Sequence, residues 1–551
     1  MRMRFLVTLT FLAALLSGGC GLFDSTDSAA FSVAVYQPDV SGALSLTLAG
    51  NAEGAAYSVI ALSSATVSAS NVYSITASSG TGSGAGSLVS AASPVPLSRR
   101  FSDRAMAQQR RFDQRVRELV EGGAFNDMED FSRASARALK ADESCTSDAG
   151  CSGFAFCDNG ACRSELTLNY TDPDTMEVSA VKALVKRVGQ HGIIVVDEDD
   201  EVAAADIESL GKMFDNIIHP RDMTFFGQHL NPDYMDRDLN DRVIIFMTGR
   251  LNTSDGFAGL FNAADFASTT QVPESNQRDL FYVVVPDEQN PLSLIYATLA
   301  HEYQHMINFA ARYVQRALDS DSATNPVQSA LWVNEGLSHL AEDVVGFGDD
   351  VAAAAYLYLQ HPERFSLAFA DLDGQVDTVQ ARGMAYLLLR YLFERKGAVV
   401  YDPEGPVIDN GGAAFLNSFF STEDVGLANL KQASGGAASL DEHFKNWLVA
   451  LVVDGTGLSD AGKYNYDEVT QDRITRQYHG MDLRGSRTTS SGAVTLSGPA
   501  HTAVNAGAGY EDGLCLSYGA QFLGFSLTAD EDLVISADPL AQMSFIVVRT
   551  K

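Results

Sequence analysis

Two histidines and a glutamate stand close together in the segment His301-Glu-Tyr-Gln-His305. If this segment is helical, residues four apart lie one turn above each other, so His301 and His305 can hold one zinc ion from the same face. Glu302 lies beside them, where its carboxylate can take a proton from a water molecule that the metal activates. The spacing therefore predicts one catalytic zinc ion, with Glu302 as the general base.

A zinc site built on two histidines needs a third protein ligand, and the fourth position is left for water. Residues 331–342 supply candidates, because Glu335, His339 and Glu342 fall on one face of a predicted helix. Each of these three side chains can coordinate zinc. The residues alone therefore leave the third ligand open.

Both segments resemble motifs of the hyicolysin family of neutral zinc metallopeptidases, which is of the gluzincin type. The similarity rests on His-Glu-Tyr-Gln-His-x-Ile-Asn-Phe from residue 301 and on Trp-x-Asn-Glu-Gly-Leu-Ser from residue 332, and it extends over residues 166–454. The third zinc ligand of that family is a glutamate, so the resemblance implies that His301, His305 and Glu335 bind zinc. It also implies a zincin-like core and a zinc-dependent endopeptidase that acts on proteins or peptides.

The chain departs from the family pattern at two places. Related enzymes put a tyrosine or histidine opposite the zinc to hold the oxyanion of the transition state. Residues 381–387 resemble the helix that carries this tyrosine, but Arg382 stands in its position, which leaves Arg382, Tyr386 and His339 as candidates. His339 also replaces an aspartate that orients a histidine ligand. Either His339 itself binds zinc, or Glu342 or a backbone carbonyl orients the histidines.

Two other functions remain open at the level of sequence. The missing tyrosine fits a surface binding protein built on a peptidase fold that has lost catalysis. A zinc amidase that acts on cell-wall peptides would use the same residues on a different substrate. The complete set of metal ligands and general base favours the peptidase.

The elements that carry these residues follow an α+β layout. Short apolar runs are typical of buried strands, and longer segments with helical spacing lie between and after them. The strand runs are 192–196, 243–247 and 280–285, and the helical segments are 207–218 and 291–318. Asn290 and Pro291 indicate the start of the second helix, as its cap and its first residue. We expect a zincin-like metallopeptidase core over residues 164–460, with a mixed sheet, an active-site helix and a helical C-terminal subdomain.

Segments of different composition flank this core. Alternating apolar and small polar residues predict one small all-β module at 20–92 and a second at 461–551. Residues 93–143 read as a linker and a basic amphipathic helix, since the stretch 99–140 holds ten basic and seven acidic residues, a local charge of +3. We interpret the helix as packed on an acidic body, with a cleavable pro-segment as the alternative.

Four of the six cysteines lie in a module at 144–163. In an exported protein this density implies two disulfides rather than a zinc site, because zinc-binding cysteine pairs usually have shorter spacing. Three connectivities are possible among Cys145, Cys151, Cys157 and Cys162. Cys515 lies outside this module, and we expect it to be a buried thiol without a disulfide partner.

The N-terminus has the pattern of an export signal. Arg2 and Arg4 precede an apolar run at 5–16, and Ser-Gly-Gly-Cys20 then resembles the lipobox of bacterial lipoproteins. The pattern predicts a signal peptide at 1–19 and a lipid on Cys20. We expect an exported protein of the bacterial cell envelope, tethered to the membrane through this lipid alone, because no later apolar run is long enough to span a bilayer.

The overall charge excludes one class of partner. The chain has 551 residues with 70 acidic and 38 basic side chains, a net charge of -32, which disfavours binding to nucleic acid. Residues 236–241 resemble the beginning of a calcium loop but lack its glycine and its final glutamate, so we expect a turn there, with calcium as the minor alternative. We expect a monomer with protein or peptide substrates.

Overall fold

The computed structural model contains two chain-end β-sheets, a central mixed sheet and a helical region. The residues that it describes are 31–64, 70–78, 102–125, 145, 148–151, 153–158, 161–228, 230–238, 240–252, 256, 258–318, 325–368, 378–401, 407–459 and 462–551. The predicted signal peptide at 1–19 and the predicted lipidation site Cys20 lie outside the described residues.

Runs of strands and runs of helices follow one another along the chain, an order that confirms the α+β class. The strands are β1 (Ser32–Tyr36), β2 (Ala43–Leu48), β3 (Ala55–Ser63), β4 (Ser70–Ser78), β5 (Phe156–Asp158), β6 (Ala161–Arg163), β7 (Glu165–Thr171), β8 (Val178–Val188), β9 (Gly192–Asp197), β10 (Val243–Met247), β11 (Gly259–Phe261), β12 (Leu280–Val283), β13 (Val399–Tyr401), β14 (Val407–Asp409), β15 (Thr470–Gln471), β16 (Tyr478–His479), β17 (Ser486–Thr489), β18 (Gly492–Thr495), β19 (Thr502–Val504), β20 (Tyr510–Leu516), β21 (Ala520–Leu527), β22 (Glu531–Ala537) and β23 (Met543–Arg549). The α-helices are α1 (Asp103–Glu121), α2 (Ala204–Met213), α3 (His219–Phe225), α4 (Leu292–Phe309), α5 (Gln315–Leu318), α6 (Leu331–Val345), α7 (Val351–Gln360), α8 (Val379–Arg395), α9 (Gly412–Ser418), α10 (Gly426–Ala433) and α11 (Ala437–Val453).

A six-stranded mixed sheet supports the helix that carries the histidines. Its order is β11-β12-β10-β9-β8-β7, with β9, β10 and β12 parallel. Every residue of these three strands is buried, which explains why they stand in the sequence as uninterrupted apolar runs. The three predicted strands are thus confirmed. β11 lies at the edge of the sheet and pairs antiparallel with β12.

The predicted helix at 291–318 is confirmed, although it consists of three parts. α4 is followed directly by a π-helical turn at Ala310–Val314 and then by α5. The N-cap is Pro291 rather than Asn290, so this detail of the prediction is wrong. The Asn290 amide instead donates to Asp287 Oδ1 at 2.8 Å, within the preceding turn.

The helical region brings α6 against α4 on one side and against α8 on the other. Gly336 permits the second contact, because a Cβ at this position would lie 2.8 Å from Leu389 Cδ1 and 2.9 Å from Ala385 Cβ. Close approach of the two helices sets Glu335, the residue before Gly336, next to α8. The position of the third candidate ligand therefore depends on a small residue in the middle of α6.

Strands from both ends of the chain form one β-sandwich. One sheet has the order β1-β23-β3-β21-β19 and the other the order β2-β22-β4-β20. Buried side chains from both ends, among them Leu48, Ile75, Leu523 and Phe545, share one apolar core. The two β modules expected at 20–92 and 461–551 are therefore not separate units. Alternation identifies the buried face of a strand but not its partner, so the sequence pattern could not show this pairing.

The basic helix is confirmed as α1 and packs on the acidic body. Ser102 caps α1 by accepting a hydrogen bond from the Ala105 amide, and the Phe112 side chain of this helix is buried. Arg104 and Arg111 pair with Asp174, on the turn between β7 and β8. These contacts confirm the interpretation of the segment as a packed helix.

The cysteine module forms two disulfides, Cys145–Cys157 and Cys151–Cys162. The prediction of two disulfides is thus confirmed, and the structure has one of the three possible connectivities. Asp158 ties the module to the core, because Arg278 donates to both of its carboxylate oxygens, at 3.0 and 2.9 Å. Cys515 is a buried free thiol.

Within the described part of the chain, none of the helices combines the length and the apolar character needed to cross a membrane.

Candidate metal centre

Three potential metal ligands converge between α4 and α6. His301 and His305 extend from successive turns of α4, and Glu335 faces them from α6. His301 Nε2 lies 3.1 Å from His305 Nε2 and 3.5 Å from Glu335 Oε2, and His305 Nε2 lies 3.7 Å from Glu335 Oε1. The three residues are at most 7% exposed. The structure thus brings together the two histidines and one of the three residues considered as third ligand.

The spacing of these atoms fits a zinc ion. Tetrahedral zinc binds nitrogen and oxygen at about 2.0–2.1 Å, which separates neighbouring ligand atoms by about 3.4 Å. The three observed separations, 3.1–3.7 Å, fall around this value. Both carboxylate oxygens of Glu335 are buried, and they face the two histidine nitrogens and, at Oε2, the Arg382 guanidinium. The group therefore has the donor set and the spacing of a three-ligand zinc site.

Glu342 holds the ring of His301 from behind. Its Oε1 lies 2.8 Å from His301 Nδ1 and 2.8 Å from His339 Nδ1. Because an ionised carboxylate only accepts hydrogen bonds, both imidazoles carry their proton on Nδ1. The lone pair of His301 Nε2 is then directed to the metal position, as in carboxylate–histidine–metal arrangements.

Ser338 performs the same task for His305. The Ser338 hydroxyl donates to Gln304 Oε1 and accepts from His305 Nδ1 at 3.0 Å. This assignment leaves His305 Nε2 unprotonated, as a metal ligand must be. Glu335, His339 and Glu342 share a helix face, as predicted. Only Glu335 faces both histidines as a candidate ligand, whereas Glu342 accepts from His301 and His339.

The ionisation of the group suits metal binding. Burial alone would lower the pKa of His301, but its hydrogen bonds to Glu335 and Glu342 raise this pKa to about 9. Burial lowers the pKa of His305 to about 3. Burial alone would raise the pKa of Glu335, but Arg382 and the histidines hold it well below its ordinary value. One ligand is thus anionic, one is neutral, and a metal ion displaces a proton from the third.

Glu302 lies beside this group with its side chain fixed. Its Oε2 accepts a hydrogen bond from the Phe261 amide at 2.7 Å, at the end of the edge strand β11. Burial raises the pKa of Glu302 to about 7. A carboxylate with a pKa near neutrality is suited to proton transfer in either direction. Sequence reasoning did not identify Phe261, because its contact with Glu302 depends on how the sheet meets α4.

Arg382 and Tyr386, the two other predicted catalytic residues, point to different places. Arg382 Nη1 lies 2.6 Å from Glu335 Oε2, so this cation borders the candidate metal centre. The Tyr386 hydroxyl donates to Asp343 Oδ2 at 2.9 Å, and Arg390 pairs with the same oxygen at 3.0 Å. Tyr386 therefore belongs to a buried ionic group between α6 and α8 and does not join the candidate ligands.

A small cavity of about 60 Å³, partly open to solvent, has His305 in its lining. Phe261 and Asn308 form its wall on the side of the sheet and α4. Gln109 and Asp113 line it from α1. Sequence reasoning treated α1 only as a packed helix and missed that it borders the site.

The loop at 236–241 turns into β10, as expected. Asp236 and Asp238 lie near Asp279, with one oxygen of each within 4.8 Å of the others. Arg278 pairs with Asp238 at 2.5 Å. Burial raises the pKa of Asp238 to about 7. Calcium binding at this loop stays a prediction.

Comparison with known proteins gives a distant and partial similarity. The chain is 29% identical over 154 residues to neutral metalloprotease ShpI of Staphylococcus hyicus, covering 26% of this chain and 33% of that protein. It thus spans about a third of the length of this curated relative. No family model matches the chain. The similarity is therefore distant and partial, and the buried group of His301, His305 and Glu335 is consistent with a zinc site.

Proposed function

We propose that the protein is a zinc-dependent endopeptidase that hydrolyses peptide bonds of proteins or peptides. The observation that carries the proposal is the convergence of three ligand atoms at zinc spacing, with the carboxylate of Glu302 fixed beside them. The similarity to a neutral metalloprotease supports it. The two histidines and Glu335 would hold the ion.

The chain's own residues supply the proton transfers. A bound zinc ion polarises the scissile carbonyl and lowers the pKa of water. Glu302 takes the proton of the attacking water on its carboxylate and passes it to the leaving amine nitrogen. The Phe261 amide holds Glu302 Oε2 during this exchange. Arg382, whose guanidinium is within reach of the ligand group, offers positive charge to the developing oxyanion.

Substrate binding is supported by the edge position of β11. Among the described residues this strand is outermost in its sheet, so its outer side can accept an extended peptide as an added strand. A peptide bound there would lie next to Glu302, which is tied to the same strand. Export and a lipid anchor at Cys20 complete the proposal, and they rest on the sequence pattern of the N-terminus.

The substitution Glu302→Gln tests the proposal. We expect cleavage of a denatured protein to fall by about 100- to 10,000-fold, the usual contribution of a general acid–base, while one zinc per chain is retained. Glu208→Gln, which changes an exposed glutamate on α2, serves as the control and should leave the rate unchanged. Full peptidase activity in Glu302→Gln would rule out the mechanism. Cleavage of muropeptides without cleavage of proteins would instead favour the amidase.

A further inference from the structure

Residues 103–125, named here the cleft strap, run across the cavity that has His305 in its lining. They comprise α1 and the turn that follows it. We propose that the cleft strap is an autoinhibitory cover, which limits access to the candidate site and moves aside when a long substrate binds. The inference rests on the proposed peptidase function and concerns the regulation of the same site.

The first support is the position of the strap across the cavity. Gln109, Asp113 and Val116 of α1 line the same cavity as His305 and Asn308 of α4. One face of α1 borders the cavity, because successive turns of the helix contribute Gln109, Asp113 and Val116. The strap therefore fills the side of the cleft that faces the second histidine.

The second support is an anchor on the active-site helix itself. Phe125, which is 1% exposed, packs edge-on against Phe309 and against Tyr313, with ring centroids 5.4 Å apart in both contacts. Phe309 lies one turn after His305 and Tyr313 one turn further. The end of the strap is thus seated on the helix that carries the candidate ligands, beside the cavity.

The third support is the path that a substrate would take. β11 ends at Phe261, and both Phe261 and Ala263 line the cavity. An extended peptide added to the edge of β11 continues past Phe261 into this space and meets α1. A long chain therefore needs the strap displaced, whereas a peptide that ends at the scissile region does not.

The attachments of the strap permit such a movement. Arg104 and Arg111 pair with Asp174, and the three side chains are 36–38% exposed. Arg115 pairs with Glu274, where the side chains are 29% and 28% exposed. Partly exposed ion pairs contribute little to stability and weaken as salt screens them. These ion pairs are therefore the weaker part of the attachment, whereas Ala105, Met106, Phe112, Ala124 and Phe125 pack in the main apolar core.

Charge reversal of the strap tests the inference in the full chain. Arg104→Glu with Arg111→Glu turns both attractions to Asp174 into repulsions. Lys182→Glu with Lys212→Glu is the matched control, since it makes the same charge change at ion pairs on β8 and α2. Phe125→Ala is the second loosening variant, in case the double reversal does not fold. Hydrogen exchange of residues 103–125 reports the loosening.

Two functional measurements then decide the outcome. In a Glu302→Gln background, a fluorescent unfolded peptide of some 30 residues should bind about tenfold more tightly when the strap is loosened, the factor for a site open in one molecule in ten. In the active background, KM for a denatured protein should fall while kcat for a short peptide is unchanged. Faster exchange of the strap without tighter binding would overturn the inference. Tighter peptide binding by the loosened variants, with no cleavage by any variant, would support the autoinhibitory role of the cleft strap and contradict the proposed peptidase function.

Discussion

Each candidate ligand has a separate partner that fixes its orientation. Glu342 accepts from His301, Ser338 accepts from His305, and Arg382 faces Glu335. Metal affinity depends on such partners, because they select the tautomer and hold the ring in place before the ion binds. The site is therefore prepared for a metal by residues that do not touch it.

The contribution of Glu342 can be measured apart from general stability. Glu342→Ala should raise the zinc dissociation constant by about 10- to 100-fold, since His301 loses the acceptor for its Nδ1 proton. The measurement is competition with a chromophoric chelator. Asp343→Asn is the control, because Asp343 is the neighbouring buried acid but contacts Arg390 and Tyr386 instead of the ligands.

Asp343→Asn should lower the unfolding temperature and leave zinc affinity unchanged. Equal losses of zinc affinity in both variants would mean that Glu342 acts only through the stability of α6. Unchanged affinity in Glu342→Ala would show that the hydrogen bond to His301 does not prepare the site.

Part of this site could be predicted from sequence. His301, Glu302 and His305 follow from the helical repeat alone, which is a local property. The choice among Glu335, His339 and Glu342 needed the tertiary contact between α4 and α6. Tyr386 was a reasonable candidate by resemblance, but its hydroxyl is bonded to Asp343, on a side of α8 that the helical repeat could not distinguish.

At the scale of elements, the edge strand β11 is tightly seated on α4. A Cβ at Gly259 would clash with Thr298 Cγ2 and would lie 3.1 Å from Glu302 Cγ. Gly259 thus allows the strand to approach the helix closely enough for the Phe261 amide to reach Glu302. Phe261, whose amide donates to Glu302, and Gly259, which permits the close contact, therefore belong to the same short strand.

Gly259→Ala tests this arrangement. The new methyl group should displace β11 or the Glu302 side chain, and a misplacement of about 1 Å can reduce a rate about 100-fold. We expect a corresponding loss in kcat/KM with zinc content unchanged, because the ligands lie on other elements. Gly462→Ala, whose Cβ would meet only Arg395 Nη1 at 3.7 Å, is the control. Undiminished cleavage by Gly259→Ala would separate β11 from the catalytic geometry.

The elements themselves were largely readable from the sequence. Buried parallel strands and the long helix were predicted because their apolar patterns are local and strong. The start of α4 was misplaced by one position because Asn290 belongs to the preceding turn, where its backbone and side-chain amides both donate to Asp287 Oδ1. The cover formed by α1 over the cavity was not predicted, since it depends on where a helix packs rather than on its own pattern.

At the scale of the whole molecule, the two chain ends meet in one β-sandwich. β23 lies between β1 and β3, so the last strand completes a sheet that the first strand begins. The helical region contacts this sandwich, as in the hydrogen bond from the Tyr518 hydroxyl to Asp441 on α11 at 2.9 Å. The central sheet and the helical region are therefore inserted between the halves of this β-sandwich. A prediction that divides the chain into consecutive modules cannot show that strands from both ends pair in one sandwich.

The metal content of the full chain tests the central claim most directly. Elemental analysis of the purified protein should give one zinc per chain. Glu335→Ala should lose most of this zinc while its circular dichroism stays that of the parent, because one of three ligands is removed without filling its place. Absence of zinc from the parent protein, or full retention of zinc by Glu335→Ala, would contradict the site formed by His301, His305 and Glu335.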